Sequence, residues 1–310
     1  MSRILGFAFP GQGSQSPGML SEHFSQSKEV NQVFDISQEV LGIDFKKLIQ
    51  EGSAEDLSPT QITQPLLLTA NQALWKALNI KPETVDLMAG HSLGEYSAYV
   101  AAESITFEEA LELVSLRAKY MQEAVPEGEG GIAAIIGLSQ DQLLSICNQI
   151  TNDGQLVSMA NLNSENQVVI SGTKEGVDKA IESCKESGAK RAIPLAMSVP
   201  SHCKLMTPAS QKFSLELDKI NLLPPKTKVI QNFSVAHSDD VQTIKNNLVS
   251  QLYTPVRWFE TMDYFIDAKI TEFYECGPSK VLTGLIKRKF DNVELNSLDD
   301  YETLDLVKGK

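Results

Sequence analysis

Short apolar runs bounded by glycine or proline alternate along the chain with longer segments in which apolar residues recur every three or four positions. The short runs are typical of buried strands and the longer segments of amphipathic helices. Residues 4–9 form one such strand, which ends at Pro10, and residues 86–91 form a second strand directly before a helix of small residues at 93–102. The alternation predicts a protein of the α/β class.

Start signals place further helices. Pro65 would lie in the first turn of a helix over 65–78. Thr106, with Glu109 three residues on, would cap a helix over 107–124. Beyond residue 198, the same patterns predict helices at 206–219, 241–252, 258–268 and 280–289 and strands at 228–232 and 272–275.

The middle of the chain has a different rhythm and predicts a separate unit. Strands and helices follow one another there in the order βαββαβ, at 131–137, 139–150, 156–162, 167–172, 174–187 and 190–195. This order is that of the ferredoxin-like unit. Residues 127–130, before it, and the segment between Pro194 and Pro200, after it, would supply hinges. We therefore expect one α/β domain, residues 1–127 and 198–310, with a smaller insert at 128–197.

Composition and charge limit the partners. The 310 residues, 42% hydrophobic and 22% charged, are enough for a substantial core and typical of a soluble globular protein. The formal net charge of −13 disfavours nucleic acids and anionic membranes, because both are negatively charged. An acidic partner would have to dock on a local basic patch. Two short runs qualify, Lys190-Arg191 and Lys287-Arg288-Lys289, although either could be plain solvated surface.

The cysteines indicate a reducing compartment. No two of the four lie at C-x-x-C spacing, and no histidine lies at metal-ligand spacing from a pair of them. So few cysteines in a chain of this length do not make a disulfide scaffold. The apolar run at 4–9 is too short for the core of a signal peptide, and no apolar run reaches the length of a membrane span. We therefore expect a soluble cytoplasmic protein without a metal site.

The strongest local motif is the G-x-S-x-G of residues 90–94, GHSLG, between a predicted strand and a predicted helix. A sharp strand-to-helix turn holds such a serine in a strained conformation, and the flanking glycines remove side chains that would clash. Ser92 is therefore the candidate nucleophile. The N–H of Leu93 would face a developing oxyanion at the helix N-terminus. The alternative is a purely structural turn, since the bare motif also occurs by chance.

A serine needs a base to attack at neutral pH, because its hydroxyl is barely ionised. Of the four histidines, His91 adjoins Ser92 and should point away from it, while His23 lies in an amphipathic segment and His237 in a polar loop. Elimination leaves His202, which follows the insert. No acid between Ser92 and His202 stands at a strand end as a triad acid should. Either an acid that the pattern does not reveal or a backbone carbonyl would orient the imidazole.

Two further positions complete the candidate site. The loop at 10–15, PGQGSQ, follows the first strand, and its glycines would let the N–H of Gln12 act as a second oxyanion donor. A tight turn is the alternative; a phosphate cradle is disfavoured because the third glycine and the acid of a dinucleotide fingerprint are missing. Arg117 borders the apolar stripe of the helix at 107–124. It could pair with an acid, cover a helix end, or grip a substrate carboxylate with its planar fork.

Together these segments resemble the malonyl-CoA:acyl carrier protein transacylases of fatty-acid synthesis over nearly the full length of the chain. One segment alone would not be specific, but the combination is. The matching segments are FAFPGQGSQSPGM (7–19), TQPLLLTA (63–70), GHSLGEYSA (90–98), LRAKYMQEAVPEG (116–128), AAIIGL (133–138), NSENQVVISG (163–172), SVPSHCKLM (198–206), QLYTPVRW (251–258) and GPSKVLTGLIKR (277–288).

The resemblance implies an α/β-hydrolase-like core with an inserted ferredoxin-like subdomain. It makes Ser92 the nucleophile, His202 the base and Arg117 the clamp for the malonyl carboxylate. It also assigns the oxyanion N–H groups to Gln12 and Leu93. These implied roles agree with the candidates that the motifs select.

The resemblance further implies that the carbonyl of Gln251 holds the imidazole of His202, which would answer the missing acid. Two positions depart from the usual pattern of the family. Ser279 stands where glycine is general, and Ile132 stands where methionine is common. Neither departure touches the implied chemistry. The VPSH sequence at 199–202 matches the free-standing fatty-acid type better than the relatives in polyketide synthases.

The implied reaction is a ping-pong transfer. Malonyl-CoA acylates the serine, and the phosphopantetheine thiol of an acyl carrier protein then takes the malonyl group. The resemblance implies no bound cofactor and no metal, transient docking of the carrier through a basic patch, and a monomer. Two other functions remain open: a serine esterase or thioesterase on the same architecture, and a carrier-docking module with an inactive site.

Overall fold

The computed structural model describes residues 3–196, 199–287, 289–290 and 292–308. The strands, numbered in chain order, are β1 (Leu5–Phe9), β2 (Leu87–Gly90), β3 (Gly130–Ile136), β4 (Val157–Ser164), β5 (Gln167–Thr173), β6 (Arg191–Pro194), β7 (Lys228–Ile230), β8 (Glu272–Glu275) and β9 (Glu294–Ser297). The helices are α1 (Ser21–Gln26), α2 (Lys28–Leu41), α3 (Phe45–Glu51), α4 (Ala54–Leu57), α5 (Thr60–Leu78), α6 (Gly94–Ala101), α7 (Phe107–Ala124), α8 (Gln140–Asn152), α9 (Lys174–Glu186), α10 (Thr207–Leu217), α11 (Val241–Gln251), α12 (Trp258–Asp267), α13 (Val281–Ile286) and α14 (Tyr301–Val307).

The larger sheet is parallel, with the strand order β7-β2-β1-β8-β9. Its central strand β1 is buried on both faces, since Phe7 and Phe9 pack in one apolar cluster and Ala8 in another. Phe9 pairs with Gly90, so β1 and β2 end side by side and the loops that follow them lie together. In open α/β sheets, ligands bind beyond the carboxyl ends of the strands. The fold therefore brings the loop after β1 and the G-x-S-x-G turn to the edge where a site is expected.

The smaller sheet is antiparallel, with the strand order β4-β5-β3-β6, and α8 and α9 pack on it around a separate apolar core. Its βαββαβ element order is that of the ferredoxin-like unit. The predicted fold class, an α/β-hydrolase-like core with an inserted ferredoxin-like subdomain, is confirmed. The boundaries at 127/128 and 197/198 stay predictions, and Met197 and Ser198 lie outside the described residues.

Backbone hydrogen bonds at β4 join the smaller sheet to the rest of the protein. Val256, which follows α11, donates its N–H to the carbonyl of Ala160 and accepts from the N–H of Leu162, each over 2.9 Å. The two bonds form a parallel bridge between Asn161 and Val256. They hold the edge of this sheet next to the end of α11, where Gln251 lies.

Most predicted elements lie within a few residues of the observed ones, but the start of one helix was wrong. α5 begins at Thr60, so Pro65 lies inside the helix instead of in its first turn. Proline removes the hydrogen bond to the carbonyl four residues earlier. That carbonyl belongs to Gln61, which is exposed and can bond to water, while Thr60 and Gln64 are buried by the added turn. Packing of this turn outweighs the lost bond.

The structure adds elements that the sequence patterns did not predict. α1 to α4 precede α5, and β9 and α14 follow α13. Most of these helices are too short to be stable alone and depend on tertiary packing. Of the helices in the described ranges, none has the length and hydropathy to cross a bilayer.

Candidate active site

Ser92 lies in the turn between β2 and α6 in a left-handed backbone conformation, with φ of 53°. This conformation is unusual for a residue with a side chain and is typical of a nucleophile elbow. Two glycines permit the turn, because a Cβ on Gly90 would overlap the backbone of Gly94, and a Cβ on Gly94 would overlap the carbonyl of Phe9. The N–H of Ser92 donates to Oδ1 of Asn232 over 2.7 Å. Local sterics and one long-range bond therefore fix the elbow.

His202 is the histidine that the structure brings to Ser92. Its Nε2 lies 2.7 Å from Ser92 Oγ, and its Nδ1 lies 2.8 Å from the main-chain oxygen of Gln251. A carbonyl only accepts hydrogen bonds, so Nδ1 carries the proton and Nε2 accepts from the serine hydroxyl. Within the described chain, no carboxylate hydrogen-bonds to this ring. The partner of Nδ1 is a backbone carbonyl.

Burial sets the charge of His202, whose exposed fraction is 2%. Loss of hydration disfavours the imidazolium, and the positive charge of Arg117 adds to the effect, while the hydrogen bond to Gln251 opposes it. Together they lower the pKa of His202 to about 3. The imidazole is therefore neutral at physiological pH and able to take a proton.

The other three histidines are held elsewhere. His91 places its Nε2 2.8 Å from Oδ1 of Asn163, so its ring is turned to β4 and away from Ser92, as expected. His23 contacts a backbone carbonyl near the end of the chain, and His237 contacts a tyrosine hydroxyl. The elimination that selected His202 agrees with this geometry.

Arg117 reaches from α7 to Ser92 and is only 1% exposed. Its Nη2 lies 3.4 Å from Ser92 Oγ and 3.0 Å from Gln251 Oε1, and its Nη1 donates to Gln64 Oε1. Among the residues that the structure describes, the guanidinium forms no ion pair and its Nε has no hydrogen-bond partner. Burial lowers the pKa of Arg117. A bound anion would relieve the cost of this buried charge.

Two backbone N–H groups of residues that line the cavity of Ser92 have no hydrogen-bond partner in the described ranges. They belong to Gln12, in the loop after β1, and to Leu93, before α6, and both residues line the same cavity as Ser92. The loop packs closely on the elbow, since a Cβ on Gly11 would overlap the carbonyl of His91. Free N–H groups next to a serine are the arrangement of an oxyanion hole.

The cavity over Ser92 has a volume of about 350 Å³, within the range of small-molecule sites. Its polar lining includes Gln64, Ser92, Arg117 and His202, together with Asn161, Asn163 and Gln167 of the smaller sheet. Its apolar lining includes residues of or next to the smaller sheet and of α13, namely Ile132, Ala134, Val169, Leu195, Val281, Leu282 and Leu285. Ile132, one of the two departures from the family pattern, therefore lies where it contacts whatever fills the cavity.

Sequence patterns missed three polar side chains of this region: Gln64, which bonds to Arg117, Asn232, which bonds to the N–H of Ser92, and Glu95, which bonds to Gln251. Glu95 is fully buried, and its Oε2 accepts from the side chain of Gln251 over 2.7 Å. The available signal was a single acid in the otherwise small and apolar helix at 93–102. The described residues include no group of three or more His, Cys, Asp or Glu side chains suited to a metal ion.

The acyl transferase domain family matches residues 6–306 of this chain. The malonyl CoA-acyl carrier protein transacylase of Salmonella typhimurium is 48% identical over 299 residues, which are 96% of this chain and 96% of that protein. The protein of the same name from Bacillus subtilis is 44% identical over 307 residues, 99% of this chain and 96% of the relative.

Solved structures agree with the sequence relatives. The malonyl CoA-acyl carrier protein transacylase of Coxiella burnetii superposes with a TM-score of 0.95 at 45% identity, covering 99% of this chain and 98% of that one. A malonyl-transacylase in complex with its type II PKS acyl-carrier protein also gives 0.95, at 44% identity, covering 98% of this chain and 99% of that one. With such identity over nearly its whole length, this chain belongs to the malonyl-CoA:acyl carrier protein transacylase family of acyltransferases.

Proposed function

We propose that this enzyme moves a malonyl group from malonyl-CoA to the phosphopantetheine thiol of an acyl carrier protein, through an ester on Ser92, and so supplies the extender unit of fatty-acid synthesis. One observation carries the proposal. The buried guanidinium of Arg117 lies 3.4 Å from Ser92 Oγ and has no ion-pair partner among the described residues. Such a group favours an acyl chain that ends in a carboxylate.

The first half-reaction acylates Ser92. Its Oγ attacks the thioester carbonyl while its proton passes to Nε2 of His202, 2.7 Å away. The carbonyl oxygen becomes negatively charged and is stabilised by the N–H groups of Gln12 and Leu93; losing one such donor typically costs about 3–4 kcal/mol. Collapse of the intermediate breaks the C–S bond, and coenzyme A takes the proton from His202 as it leaves as a thiol.

The second half-reaction uses the same groups in reverse. The carrier's thiol gives its proton to His202 and attacks the seryl ester, forming a new C–S bond. The tetrahedral intermediate collapses, the C–O bond to Ser92 breaks, and the serine recovers its proton. The carbonyl of Gln251 keeps the imidazole in the tautomer that each step requires.

Arg117 supports selectivity for malonyl over neutral acyl groups. A malonyl carboxylate would receive the N–H groups of the guanidinium in a planar, charge-assisted pair. An acetyl group would fill the cavity but leave the buried cation unpaired, which is unfavourable. The apolar part of the cavity lining supports transfer over hydrolysis, because apolar side chains around the ester would disfavour water there.

Basic residues next to elements that line the cavity support carrier docking. Lys287 follows α13, which lines the cavity, and Arg191 begins β6, which leads to the lining residue Leu195. Lys190, Arg191 and Lys287 are exposed and form no ion pair within the described chain. We place the docking patch on these three residues, since an acidic carrier needs unpaired cations near the entrance.

Lys289, in the second basic run, contributes less to this docking patch. Lys289 is mostly buried and pairs with Asp263 over 2.7 Å, so it is committed within the protein. Arg288 lies outside the described residues.

Further expectations extend the proposal. All four cysteines are buried and unpaired, which supports a reducing cytoplasm. The groups that act on the thioester all come from one chain, which supports a monomer. Each step is assigned to side chains and backbone groups of this chain, with malonyl-CoA as substrate and no bound cofactor. The division into residues 1–127 and 198–310 with an insert at 128–197 belongs to the same proposal.

Intact-protein mass spectrometry tests the function. Mixing with malonyl-CoA should add one malonyl group to the wild type and none to Ser92→Ala, and adding a carrier protein that bears phosphopantetheine should move the group to the carrier. His202→Ala should be acylated far more slowly, whereas His237→Ala, the matched histidine control, should behave as the wild type. A wild type that stays unmodified, or an ester that hydrolyses equally fast without carrier, would contradict the proposal.

A further inference from the structure

Glu95 is a buried acid that the proposed reaction does not use. It is the second residue of α6, three positions after Ser92, and is fully buried. Its Oε2 accepts from Nε2 of Gln251 over 2.7 Å and from the N–H of Asn232 over 3.1 Å, while its Oε1 has no partner in the described ranges. Removing a carboxyl group from water is energetically unfavourable, so its hydrogen bonds indicate a functional role.

Gln251 links Glu95 to both the base and the clamp. Its main-chain oxygen lies 2.8 Å from Nδ1 of His202, and its Oε1 lies 3.0 Å from Nη2 of Arg117. The side-chain amide has a donor nitrogen, Nε2, and an acceptor oxygen, Oε1, so the partner of one atom determines the direction in which the other atom points. With Nε2 held by Glu95, Oε1 faces the guanidinium; the reverse orientation would set donor against donor.

Asn232 links the same carboxyl group to the elbow. Its N–H donates to Glu95, its Oδ1 accepts from the N–H of Ser92 over 2.7 Å, and its Nδ2 donates to the carbonyl of Gly90 over 2.7 Å. Nε2 of Gln251 adds a 3.0 Å bond to the carbonyl of Ser92. Glu95 therefore accepts from the side-chain amide of Gln251 and from the backbone N–H of Asn232, the two residues that bond to the backbone of the strained serine.

We propose that Glu95 is a positioning residue for acyl transfer, whose carboxyl group fixes Gln251 and Asn232 and, through them, the relative placement of nucleophile, base and clamp. The inference rests on the proposed function. It assigns to α6 a role that goes beyond presenting the serine.

The hydrogen-bond network depends on the acceptor oxygen of the Glu95 carboxyl group more than on the charge of that group. Burial raises the pKa of Glu95 to about 7, against the hydrogen bonds from Gln251 and Asn232 and the charge of Arg117. Either protonation state offers an acceptor at Oε2, because the proton of the neutral form can reside on the unpartnered Oε1. A glutamine at this position can place its oxygen at Oε2 and its NH₂ at the free site. It should therefore preserve the network.

The experiment compares Glu95→Gln, Glu95→Met and the wild type in single-turnover acylation by malonyl-CoA and by acetyl-CoA, followed by rapid quench and intact mass. Glu95→Met keeps the size but removes the acceptor, and should slow malonylation about tenfold to hundredfold, as small misplacements of reacting groups do. It should also lower the malonyl-to-acetyl ratio. Glu95→Gln should stay close to the wild type in both.

Val100→Ala is the control for simple destabilisation. Val100 is buried on the same helix but lines a different cavity, away from Ser92. Its loss should lower the melting temperature without changing the rate or the acyl ratio. If Glu95→Met does not fold, Gln251→Met removes the same hydrogen bond while keeping the main-chain oxygen. It should show the same decrease in malonylation rate and in malonyl-to-acetyl ratio.

Three results with single variants would overturn the inference. The first is an unchanged malonylation rate and malonyl-to-acetyl ratio in Glu95→Met, or in Gln251→Met where that variant replaces it. The second is an equal decrease of both quantities in Glu95→Gln and Glu95→Met. The third is an equal decrease of both in Val100→Ala at a matched melting temperature. Additive losses in Glu95→Met/Gln251→Met would also contradict it, because residues that act through one another are not additive. If the wild-type protein is not acylated at all, that result would instead contradict the proposed function itself.

Discussion

Oγ of Ser92 lies 2.7 Å from Nε2 of His202, and both residues have left-handed backbone conformations, with φ of 53° and 60°. Each such conformation costs about 1–3 kcal/mol in a residue with a side chain. Hydrogen bonds at the same residues offset the cost, since the Ser92 N–H donates to Asn232 and the His202 N–H donates to the carbonyl of Leu252 over 3.0 Å. Two segments 110 positions apart thus meet through constrained backbone.

The elbow should not tolerate a methyl group on its first glycine. In Gly90→Ala the Cβ would overlap the backbone of Gly94, so we expect the free energy of unfolding to fall by more than about 3 kcal/mol. Gly284→Ala, in α13, is the control: apart from its chain neighbours and the backbone of its own helix, no described atom lies within 4 Å of its Cβ position, and it should gain about 0.5–1 kcal/mol. Denaturant unfolding measures both, and similar stabilities for the two variants would contradict the expectation.

Loss of the clamp should change selectivity more than reactivity. Arg117→Ala should lose its preference for malonyl over acetyl thioesters while Ser92 still forms an acyl-enzyme. A hydrogen bond to a charged group contributes about 1.5–3 kcal/mol, which is roughly a tenfold to hundredfold change in the ratio. Competition between the two thioesters, read by intact mass, measures it.

Arg257→Ala is the matched control for that substitution, because Arg257 is a partly exposed arginine paired with Glu260. Its ratio should equal that of the wild type. An unchanged ratio in Arg117→Ala would remove the clamp role.

Burial of His202 should make stability depend on pH with a defined sign. Its pKa is about 3 in the folded protein and near 6.5 when unfolded. Between these values the unfolded chain binds a proton that the folded protein does not, so this residue makes the protein less stable as the pH falls from about 6.5 towards 3. His202→Gln should therefore lose less stability than the wild type between about pH 7 and pH 4.5.

Urea unfolding at several pH values measures that difference. Glu95, whose raised pKa acts in the opposite direction, is common to both proteins and cancels. Parallel pH profiles for the two proteins would show that the imidazole is not held neutral by burial.

Ser279 should stabilise the protein without affecting chemistry. Its Oγ donates over 3.1 Å to Oε1 of Glu275, a buried carboxylate that also accepts from the N–H groups of Leu282 and Thr283 at the start of α13. Ser279→Ala should lower the free energy of unfolding by about 1 kcal/mol, the usual contribution of one hydrogen bond. The rate of Ser92 acylation should not change. A slower acylation at equal stability would show that this loop acts on the site.

Signals between near neighbours predicted the local structure well. α7 and α8 begin at their capping boxes, at Thr106 and Ser139, because those bonds join positions three residues apart. The elbow around Ser92 was predictable for a similar reason, since its motif is contiguous and the clash that Gly90 avoids is local, whereas Gly94 avoids the distant carbonyl of Phe9. Fold class followed from the order of such elements.

The rest of the site depends on contacts between distant segments. Glu95 and Gln251 are 156 positions apart, and Ser92 and Asn232 are 140 apart. Neither amide belongs to a motif or a periodic pattern of its own, and only the family resemblance assigned a role to Gln251. The start of α5 before Pro65 likewise depends on burial of the added turn. Hydrophobic spacing does not encode which distant polar groups meet.

The acceptor for the imidazole of His202 is a peptide oxygen, that of Gln251. A carboxylate in the same place could be deleted by one codon change, but every amino acid at position 251 carries this oxygen. A mutational scan there would report only the missing side-chain amide. Only a chemical change of the backbone, for example an ester in place of the 251–252 peptide link, acts on the bond itself. Side-chain substitutions at this position therefore leave the acceptor in place.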